Sequence, residues 1–517
     1  MLKLKKNLYI HSSFLILLGG ITSLSLPPFN YFIINFFSLT LFFLFLFNRL
    51  NFHKNFLTFF FYGWLFGFGY FATNLYWISI SLTFDDNFKF LIPVTMILIP
   101  SFLALFYGLM TYIFAVFGKG KIVSSFLLFS LIFGIIEFVR GTILTGFPWN
   151  LIAYSFSNQL ELLSIISVIG TYGFNLFCIS LFTCPAVLIL ERNKRGKIIC
   201  SFFIFLTIFF FTFGIFYKNK FNNSDKKNYN YNLRVLGSKI SLDRFYSNVN
   251  SVLVMEELIR ISNPNKDQKT IFIWPEGILP EISQKELKEY NWLFKEKFNE
   301  NHLLIIGINS EKIKNGSKEY FNSFSIYDHQ LNLLNSYDKI NLVPFGEFLP
   351  FEKILSKIGL KSLTNNYQSF SKGEERKIIK LNQENFSLKI LPLICYEIIY
   401  SGKLFNNHNF DLIVNISEDG WFGQSIGPKQ HFVHSIFRAV ESGKYILRST
   451  NNGISAIINP IGISEKKIEF GNVGYIDFKR ARKIQPPLFS IYGNKIFGLL
   501  ILLYIFLIIS FNRIKNE

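Results

Sequence analysis

Apolar runs of bilayer-spanning length, a one-sided distribution of lysine and arginine, and a polar block of alternating strand- and helix-type runs predict the fold class. It is a polytopic α-helical membrane domain of about eight spans joined to a large extramembrane α/β domain. The 517-residue chain is 50% hydrophobic and 17% charged, with a formal net charge of +19. That composition excludes a disordered or collagen-like chain and argues against one ordinary soluble domain. The 64 phenylalanines are concentrated in the first 217 positions and the last 24. Three of the four cysteines, Cys178, Cys184 and Cys200, fall in apolar runs, so Cys395, alone in the polar block, has no disulfide partner there.

A hydrocarbon core of roughly 30 Å needs about 20 apolar residues in a helix. Such runs occur near 8–27, 31–48, 57–80, 91–117, 122–139, 163–190, 198–217 and 494–512. Lys3, Lys5 and Lys6 precede the first run as they would a signal peptide, but no small-x-small cleavage site follows, and it reads as a retained anchor. With the amino terminus in the cytoplasm, the inside connections carry Arg49, Lys54, Lys119, Lys121, Arg192, Lys194, Arg195, Lys197, Arg513 and Lys515. The short outside loops hold little more than Lys89, Arg140, Asp85 and Asp86. This asymmetry predicts that both termini are cytoplasmic and that residues 218–493 lie on the outer side of the membrane. It also accounts for much of the net charge without nucleic acid.

The outer block contains strand-type runs at 233–241, 270–274, 302–308, 320–327, 387–394, 411–417 and 454–458, with helical stretches near 247–262, 284–299 and 429–443. Strands alternating with helices, and apolar segments such as Leu412-Ile413-Val414, predict a buried sheet in an α/β domain. The predicted organisation is residues 1–217 as seven membrane helices, 218–231 as a linker rich in Asn, Lys and Tyr, 232–485 as the extracytoplasmic domain, and 486–517 as the last helix with a short cytoplasmic tail.

Three segments of the outer domain place an ionisable side chain just beyond an apolar strand, where α/β domains keep their sites. They are Ile273-Trp274-Pro275-Glu276, Tyr337-Asp338-Lys339 leading into Pro344-Phe345-Gly346-Glu347, and Leu393-Ile394-Cys395-Tyr396-Glu397. A thiol with a pKa near 8.5 needs a carboxylate to take its proton as it attacks an acyl group, and Glu276 is the candidate base. Attack on an ester develops a negative oxygen that a fixed ammonium stabilises, which makes Lys339 the candidate oxyanion partner and Cys395 the candidate nucleophile. Singly these are weak signals, since a cysteine after a strand is more often a structural thiol and a lysine more often a solvated charge.

Taken together, Trp-Pro-Glu at 274–276, Tyr-Asp-Lys at 337–339, Leu-Val-Pro-Phe-Gly-Glu-Phe at 342–348 and Ile-Cys-Tyr-Glu at 394–397 resemble the Glu-Lys-Cys motifs of the nitrilase, or carbon–nitrogen hydrolase, superfamily. With eight spans around that domain, the resemblance is to the apolipoprotein N-acyltransferases. Trp421-Phe422-Gly423, Gln430-His431 and Thr450-Asn451-Asn452-Gly453 are similar to that family's later stretch. Gly67-Phe68-Gly69-Tyr70, Leu75-Tyr76-Trp77, Glu137-Phe138-Val139-Arg140-Gly141 and Thr145-Gly146-Phe147-Pro148-Trp149-Asn150 resemble its membrane signatures.

The resemblance implies a four-layer αββα sandwich on an eight-helix base, in the bacterial inner membrane, with the catalytic domain on the periplasmic side. It implies Glu276 as base, Lys339 as oxyanion stabiliser and Cys395 as acylated nucleophile. Glu347 then holds Lys339 charged, and Glu397 either binds the incoming amine or shapes the pocket. Tyr396, Trp421 and Phe422 are implied supporting or substrate-binding residues. The implied partners are a phospholipid acyl donor and diacylglyceryl apolipoproteins, with a monomeric enzyme and no cofactor, metal or nucleic acid. A membrane-tethered amidase or nitrilase-type hydrolase shares the triad and is the alternative. A transporter is disfavoured by spans nearly free of charge.

The chain departs from the family's Asn-Asp-Ala-Trp, reading Glu418-Asp419-Gly420-Trp421, and Phe245 stands where the family's lid loop carries Trp. Several residues keep a plainer reading beside a functional one. His431 and His434 share a helix face but lack a third ligand nearby, and hydrogen bonding is expected of them. Glu137 and Arg140 read as an ion pair ordering the outer loop or as a headgroup contact. Trp64, Trp77 and Trp149 read as interfacial or packing aromatics. The amphipathic stretch 348–360 reads either as a core helix or as a bilayer contact that admits an acyl chain.

Overall fold

The structure, a computed structural model, describes residues 2–50, 55–246, 249–314, 316–355, 357, 369–404 and 408–513. It divides into two compact units. One comprises Met1–Asn219, Ser425–Val433 and Pro487–Glu517, and the other Lys220–Gln424 and His434–Pro486.

In the first unit, six helices among the described residues are long and apolar enough to cross a membrane. They are Phe56–Phe84, Asp86–Phe117, Ile122–Arg140, Ile166–Leu190, Lys194–Asn222 and Lys495–Arg513. Two shorter apolar helices, Tyr9–Ser25 and Ile33–Phe47, occupy the first two predicted runs. Lipid tails are as apolar as the side chains, so these helices associate through close packing more than through hydrophobic exclusion. Phenylalanine supplies much of it. Phe42 stacks on Phe66 at 4.0 Å between ring centroids, and Phe43 meets Phe114, Phe126 and Phe129. Glycine lets backbones touch where rings do not fit: a Cβ at Gly19 would lie 2.0 Å from the Phe66 carbonyl oxygen, and one at Gly69 would lie 2.0 Å from that of Ile16.

Some of the buried polar residues of this unit pair with one another. Arg140 and Glu137 form a fully buried ion pair, and Arg140 also donates to the Phe147 carbonyl, so the pair orders the loop that follows. Trp77 and Trp149 are buried, and both indole N–H groups donate to Gln430 Oε1, at 3.1 and 2.8 Å. Gln430 Nε2 in turn donates to the Pro27 carbonyl at 3.2 Å. His431 stacks on Trp149 with 5.4 Å between ring centroids.

The second unit is a nitrilase-like α/β domain. Its strands are β1 (Lys226–Ser238), β2 (Thr270–Ile273), β3 (Leu279–Ser283), β4 (His302–Lys314), β5 (Ser317–Asp328), β6 (Leu333–Asp338) and β7 (Ile379–Gln383). They continue as β8 (Phe386–Ile394), β9 (Leu412–Glu418), β10 (Tyr445–Asn451), β11 (Ser455–Ile458), β12 (Ser464–Ile468) and β13 (Gly474–Arg482). Hydrogen bonds connect them in the order β6-β5-β4-β2-β1-β10-β9-β8-β7. The sheet curls until β5 approaches β8 and β6 approaches β7, which gives the two β layers of the αββα arrangement. The inner run β4-β2-β1-β10-β9-β8 is parallel, and β2, β9 and β10 are buried along their whole length, as parallel strands covered on both faces must be.

Helix Ser251–Ser262 packs Val254, Met255, Leu258 and Ile259 against Leu236, Phe272, Trp274, Leu304 and Ile306 of the sheet. Trp274 is fully buried there and donates its indole N–H to Ser262 Oγ at 2.9 Å, which fixes the chain just before Glu276.

The elements differ from expectation in several places. The stretch read as a linker at 218–231 is helix up to Asn222 and strand from Lys226, because Tyr229 and Tyr231 are buried against Phe478 and Phe386. The helix expected over 284–299 is a 3-10 turn at Glu286–Tyr290 and a single α turn at Asn291–Phe294. The helix expected from 247 starts at Ser251, and residues 247–248 lie outside the described residues. Of the stretch 348–360, residues 356 and 358–360 lie outside them as well, and the described part holds one turn at Glu352–Leu355.

Gly307 of β4 lies directly beneath the site, where an added Cβ would fall 2.5 Å from Glu276 Cα and 2.8 Å from the Pro275 carbonyl oxygen. Both obstacles are backbone, so Gly307→Ala is expected to destabilise the domain by about 1–3 kcal/mol. Thermal unfolding of the purified protein measures this, and an unchanged midpoint would contradict the packing described.

Candidate active site

The site forms beyond the carboxyl ends of the parallel strands, where backbone ladders stop and side chains converge. Glu276 follows β2, Lys339 follows β6, and Cys395 follows β8. The peptide N–H of Lys339 still donates to the Asn322 carbonyl of β5 at 2.9 Å, so the lysine leaves the sheet from a fixed point. Register places Ile394 of β8 opposite Ile416 of β9, which sets Cys395 beside Ser417. Cys395 has a φ of +46°, in the left-handed region that non-glycine residues rarely adopt. Strain of this kind persists only where surrounding contacts hold it, and it turns the side chain sharply off the end of the strand.

The ammonium of Lys339 is 1% exposed and lies between two carboxylates. It donates to Glu276 Oε1 at 3.1 Å and to Glu347 Oε1 at 2.8 Å. The side-chain amide of Asn322 spans the same two atoms, donating to each at 2.7 Å. The outer oxygens are held by main chain: Glu276 Oε2 accepts from Glu418 N at 3.0 Å, and Glu347 Oε2 from Val343 N at 2.9 Å. Burial alone would lower the pKa of Lys339. The Glu276 and Glu347 carboxylates, with Cys395, outweigh it and hold the ammonium above the ordinary lysine value. Glu347 is pushed up by burial, and Lys339 offsets only part of that.

The Cys395 thiol is held well above its ordinary value, first by burial and then by the charges of Glu276 and Asp419, against the opposing pull of Lys339 and a hydrogen bond with Ser417. Ser417 Oγ donates to Asp419 Oδ1 at 2.7 Å, and Asp419 is paired with the buried guanidinium of Arg448 at 2.8 Å. The thiol is therefore protonated at neutral pH and needs a base to become a nucleophile.

Glu397 is fully buried, and both oxygens are occupied. Oε1 accepts from Tyr337 Oη at 2.7 Å, Ile340 N at 3.0 Å and Arg376 Nη2 at 2.9 Å, and Oε2 accepts from Ile394 N at 2.9 Å. One carboxylate thus ties the residues flanking Lys339 to the residue before Cys395. Tyr396 packs edge-on to Tyr400. Trp421 rests against Phe245 and Tyr246, with centroids 5.1 and 6.3 Å apart, and Phe422 follows it half-buried.

Five participants were not singled out from sequence as site residues: Asn322, Arg376, Ser417, Asp419 and Arg448. Asn322 carried a signal, since asparagine is depleted in strands and this one interrupts the run Tyr320–Tyr327. Removing the charge of Glu397 with Glu397→Gln would leave Arg376 buried without its counter-ion. That change is expected to cost about 3–5 kcal/mol. Chemical denaturation checks it, and a loss below about 1 kcal/mol would show that the carboxylate is not the tie described.

Comparison with known proteins agrees along most of the chain. The family model "Apolipoprotein N-acyltransferase N-terminal domain" matches residues 18–184, and "Carbon-nitrogen hydrolase" matches residues 273–471. The apolipoprotein N-acyltransferase of Rhodopseudomonas palustris is 30% identical over 87% of this chain and 85% of its own length. That of Brucella suis is 31% identical over 80% of this chain and 78% of its own. That of Rickettsia prowazekii is 33% identical over 84% and 86%. With such identity sustained through both the helical and the sheet unit, the chain belongs to the apolipoprotein N-acyltransferase family.

Proposed function

We propose that the protein moves a fatty acyl chain from a phospholipid, such as phosphatidylethanolamine, through a Cys395 thioester to the α-amine of the N-terminal diacylglyceryl-cysteine of apolipoproteins. The observation that carries this reading is the buried cluster in which Lys339 bonds both Glu276 and Glu347, with Cys395 at the end of β8. Membership of the family and the apolar helices support the choice of lipid substrates over soluble amides.

In the first half-reaction Glu276 takes the thiol proton as sulfur attacks the ester carbonyl carbon. A tetrahedral oxyanion forms, and Lys339 stabilises it. Two of the three ammonium protons bond Glu276 and Glu347, which leaves the third for the developing charge. The intermediate collapses to the thioester, and Glu276 returns the proton to the departing lysophospholipid oxygen. In the second half-reaction the α-amine attacks the thioester carbonyl. Its proton passes to Glu276, the amide forms, and the thiolate is reprotonated. Water must be kept from the thioester between the two halves, a task for Trp421, Phe422 and Phe245. Glu347 holds Lys339 charged and oriented, and Glu397 shapes the pocket by joining its two rims.

The lysine and arginine distribution supports a setting in the bacterial inner membrane with both termini cytoplasmic and the sheet domain periplasmic. The protein is proposed to act as a monomer without cofactor or metal.

Incubating the purified protein with acyl-labelled phospholipid and a diacylglyceryl peptide bearing a free N-terminal cysteine amine tests the reading. Label is expected on the peptide as an amide, and none on a peptide whose amine is acetylated. Release of free fatty acid alone, with small amides hydrolysed, would replace it with the hydrolase alternative. Because the thiol is held above its ordinary value, Glu276→Gln is expected to lower acylation at pH 7 by about 10²–10⁴-fold. The rate of that variant should rise with pH as hydroxide takes over thiol ionisation, and a profile unchanged from wild type would remove Glu276 as base. Lys339→Met is expected to cost on the order of 3 kcal/mol in the acylation barrier, with normal membrane insertion. Near-normal single-turnover rates would remove its oxyanion role.

A further inference from the structure

Glu418 stands where the family resemblance leads to asparagine, and it is 2% exposed. Its Oε1 accepts from Gly420 N at 2.8 Å, and its Oε2 accepts from Asn451 Nδ2 at 2.7 Å and from the guanidinium of Arg244. Burial pushes the Glu418 carboxyl up, and Arg244 is the first of the contacts that oppose it. Arg244 is equally buried, at 3% exposed, and every remaining arm is used. Nε donates to the Gly277 carbonyl at 3.1 Å, and Nη1 to the Ser241 and Ile240 carbonyls at 2.7 and 3.3 Å.

Both partners of this ion pair reach Glu276. The main-chain N–H of Glu418 donates to Glu276 Oε2, and Arg244 binds the carbonyl of Gly277, the residue that follows Glu276. The same pair carries the aromatic cover. The Arg244 guanidinium lies 4.6 Å from the Phe245 ring centroid, Phe245 and Tyr246 rest on Trp421, and Trp421 is three residues beyond Glu418. The turn at Gly277 has a φ of +60°, and a Cβ there would meet Phe245 at 3.3 Å, so the cover sits directly on the turn of the base.

We infer that Arg244 and Glu418 act as one positioning pair, which orients the Glu276 carboxylate and seats the Phe245–Tyr246–Trp421 cover over it. Neither residue touches substrate; both act through Glu276, and the inference rests on the thioester reading above. Removing either charge alone strands its partner in a buried site, so the main chain at 418 and the 240–246 segment both relax away from Glu276. Removing both charges costs little more than removing one, because the two act as a unit.

Single-turnover acylation of the full-length protein in phospholipid nanodiscs, with acyl-labelled phosphatidylethanolamine, tests the pair. The amplitude reads the folded fraction and the rate constant reads positioning. Arg244→Gln and Glu418→Gln are each expected to reduce the rate constant by about 10²-fold at full amplitude, the scale of a misplacement near 1 Å. The lipid concentration for half-maximal rate should be unchanged. The double variant R244Q/E418Q is expected to be no slower than either single variant, and Arg244→Lys, which keeps the charge and loses the Nε contact, should recover part of the rate. Wild-type rates in the single variants, losses that multiply in the double, or a loss confined to amplitude would each overturn the inference. Should a single variant fail to fold, the double decides: folded and slow supports the pair, folded with a wild-type rate overturns it. Absence of acylation in the wild-type protein would sink the thioester reading itself, a separate result.

Discussion

A lysine ammonium buried between two carboxylates is the constraint around which the second unit is organised. Taking such a charge out of water costs several kcal/mol after relaxation, and it is repaid only by close counter-charges whose own lone pairs are also satisfied. Lys339 meets that condition with Glu276 and Glu347, and the condition then propagates outward. The two carboxylates need Asn322 between them and main-chain N–H groups from Glu418 and Val343 beyond them. Those donors come from β5, the end of β9 and the loop after β6, so the cluster closes only when the sheet has curled far enough to bring its ends together. Three further buried carboxylate–guanidinium pairs, Glu397 with Arg376, Glu418 with Arg244 and Asp419 with Arg448, surround it. The cluster is therefore buried and densely charged, the kind of environment in which fixed donors act most strongly on a developing oxyanion.

The first unit solves a different problem. Its helices have no solvent to exclude, and they meet through stacked phenylalanines, glycine contacts and a few polar pairs. The Glu137–Arg140 pair and the Gln430 bridge to Trp77 and Trp149 are its polar joints. In the proposed reaction both substrates are lipids, and this unit supplies helices long and apolar enough to cross a bilayer.

Much of this architecture is legible in the amino-acid sequence. The spans can be read because a bilayer demands length and apolarity together, and β2, β8 and β9 because each holds a short apolar run, at 271–273, 390–394 and 412–414. Glu276, Lys339 and Cys395 stand out through ordered motifs, which place each beyond a strand but say nothing of mutual distance. β10 escapes such a reading because its second half, Arg448-Ser449-Thr450-Asn451, is polar, and a strand buried on both faces is normally recognised by its apolarity. Those residues find their partners only in the folded sheet: Arg448 pairs with Asp419, Asn451 braces Glu418, Ser449 donates to the Leu236 and Ile273 carbonyls, and Thr450 meets Ser455. Likewise Arg376 falls in an irregular segment with no periodicity, and only the fold brings it to Glu397. The stretch 226–231 reads as a linker because Asn and Lys dominate it, while the two tyrosines that make it a strand find their partners more than a hundred residues away.

Acyl transfer by this route requires the sulfur of Cys395 to carry the acyl group. Intact-protein mass spectrometry after incubation with a phospholipid of defined chains, without acceptor peptide, measures this directly. The expected result is a mass gain equal to one acyl chain, localised to the Cys395 peptide and removed by neutral hydroxylamine as a thioester is. An unmodified Cys395 under conditions in which acyl chains still reach an added acceptor, or an adduct on another residue, would contradict it.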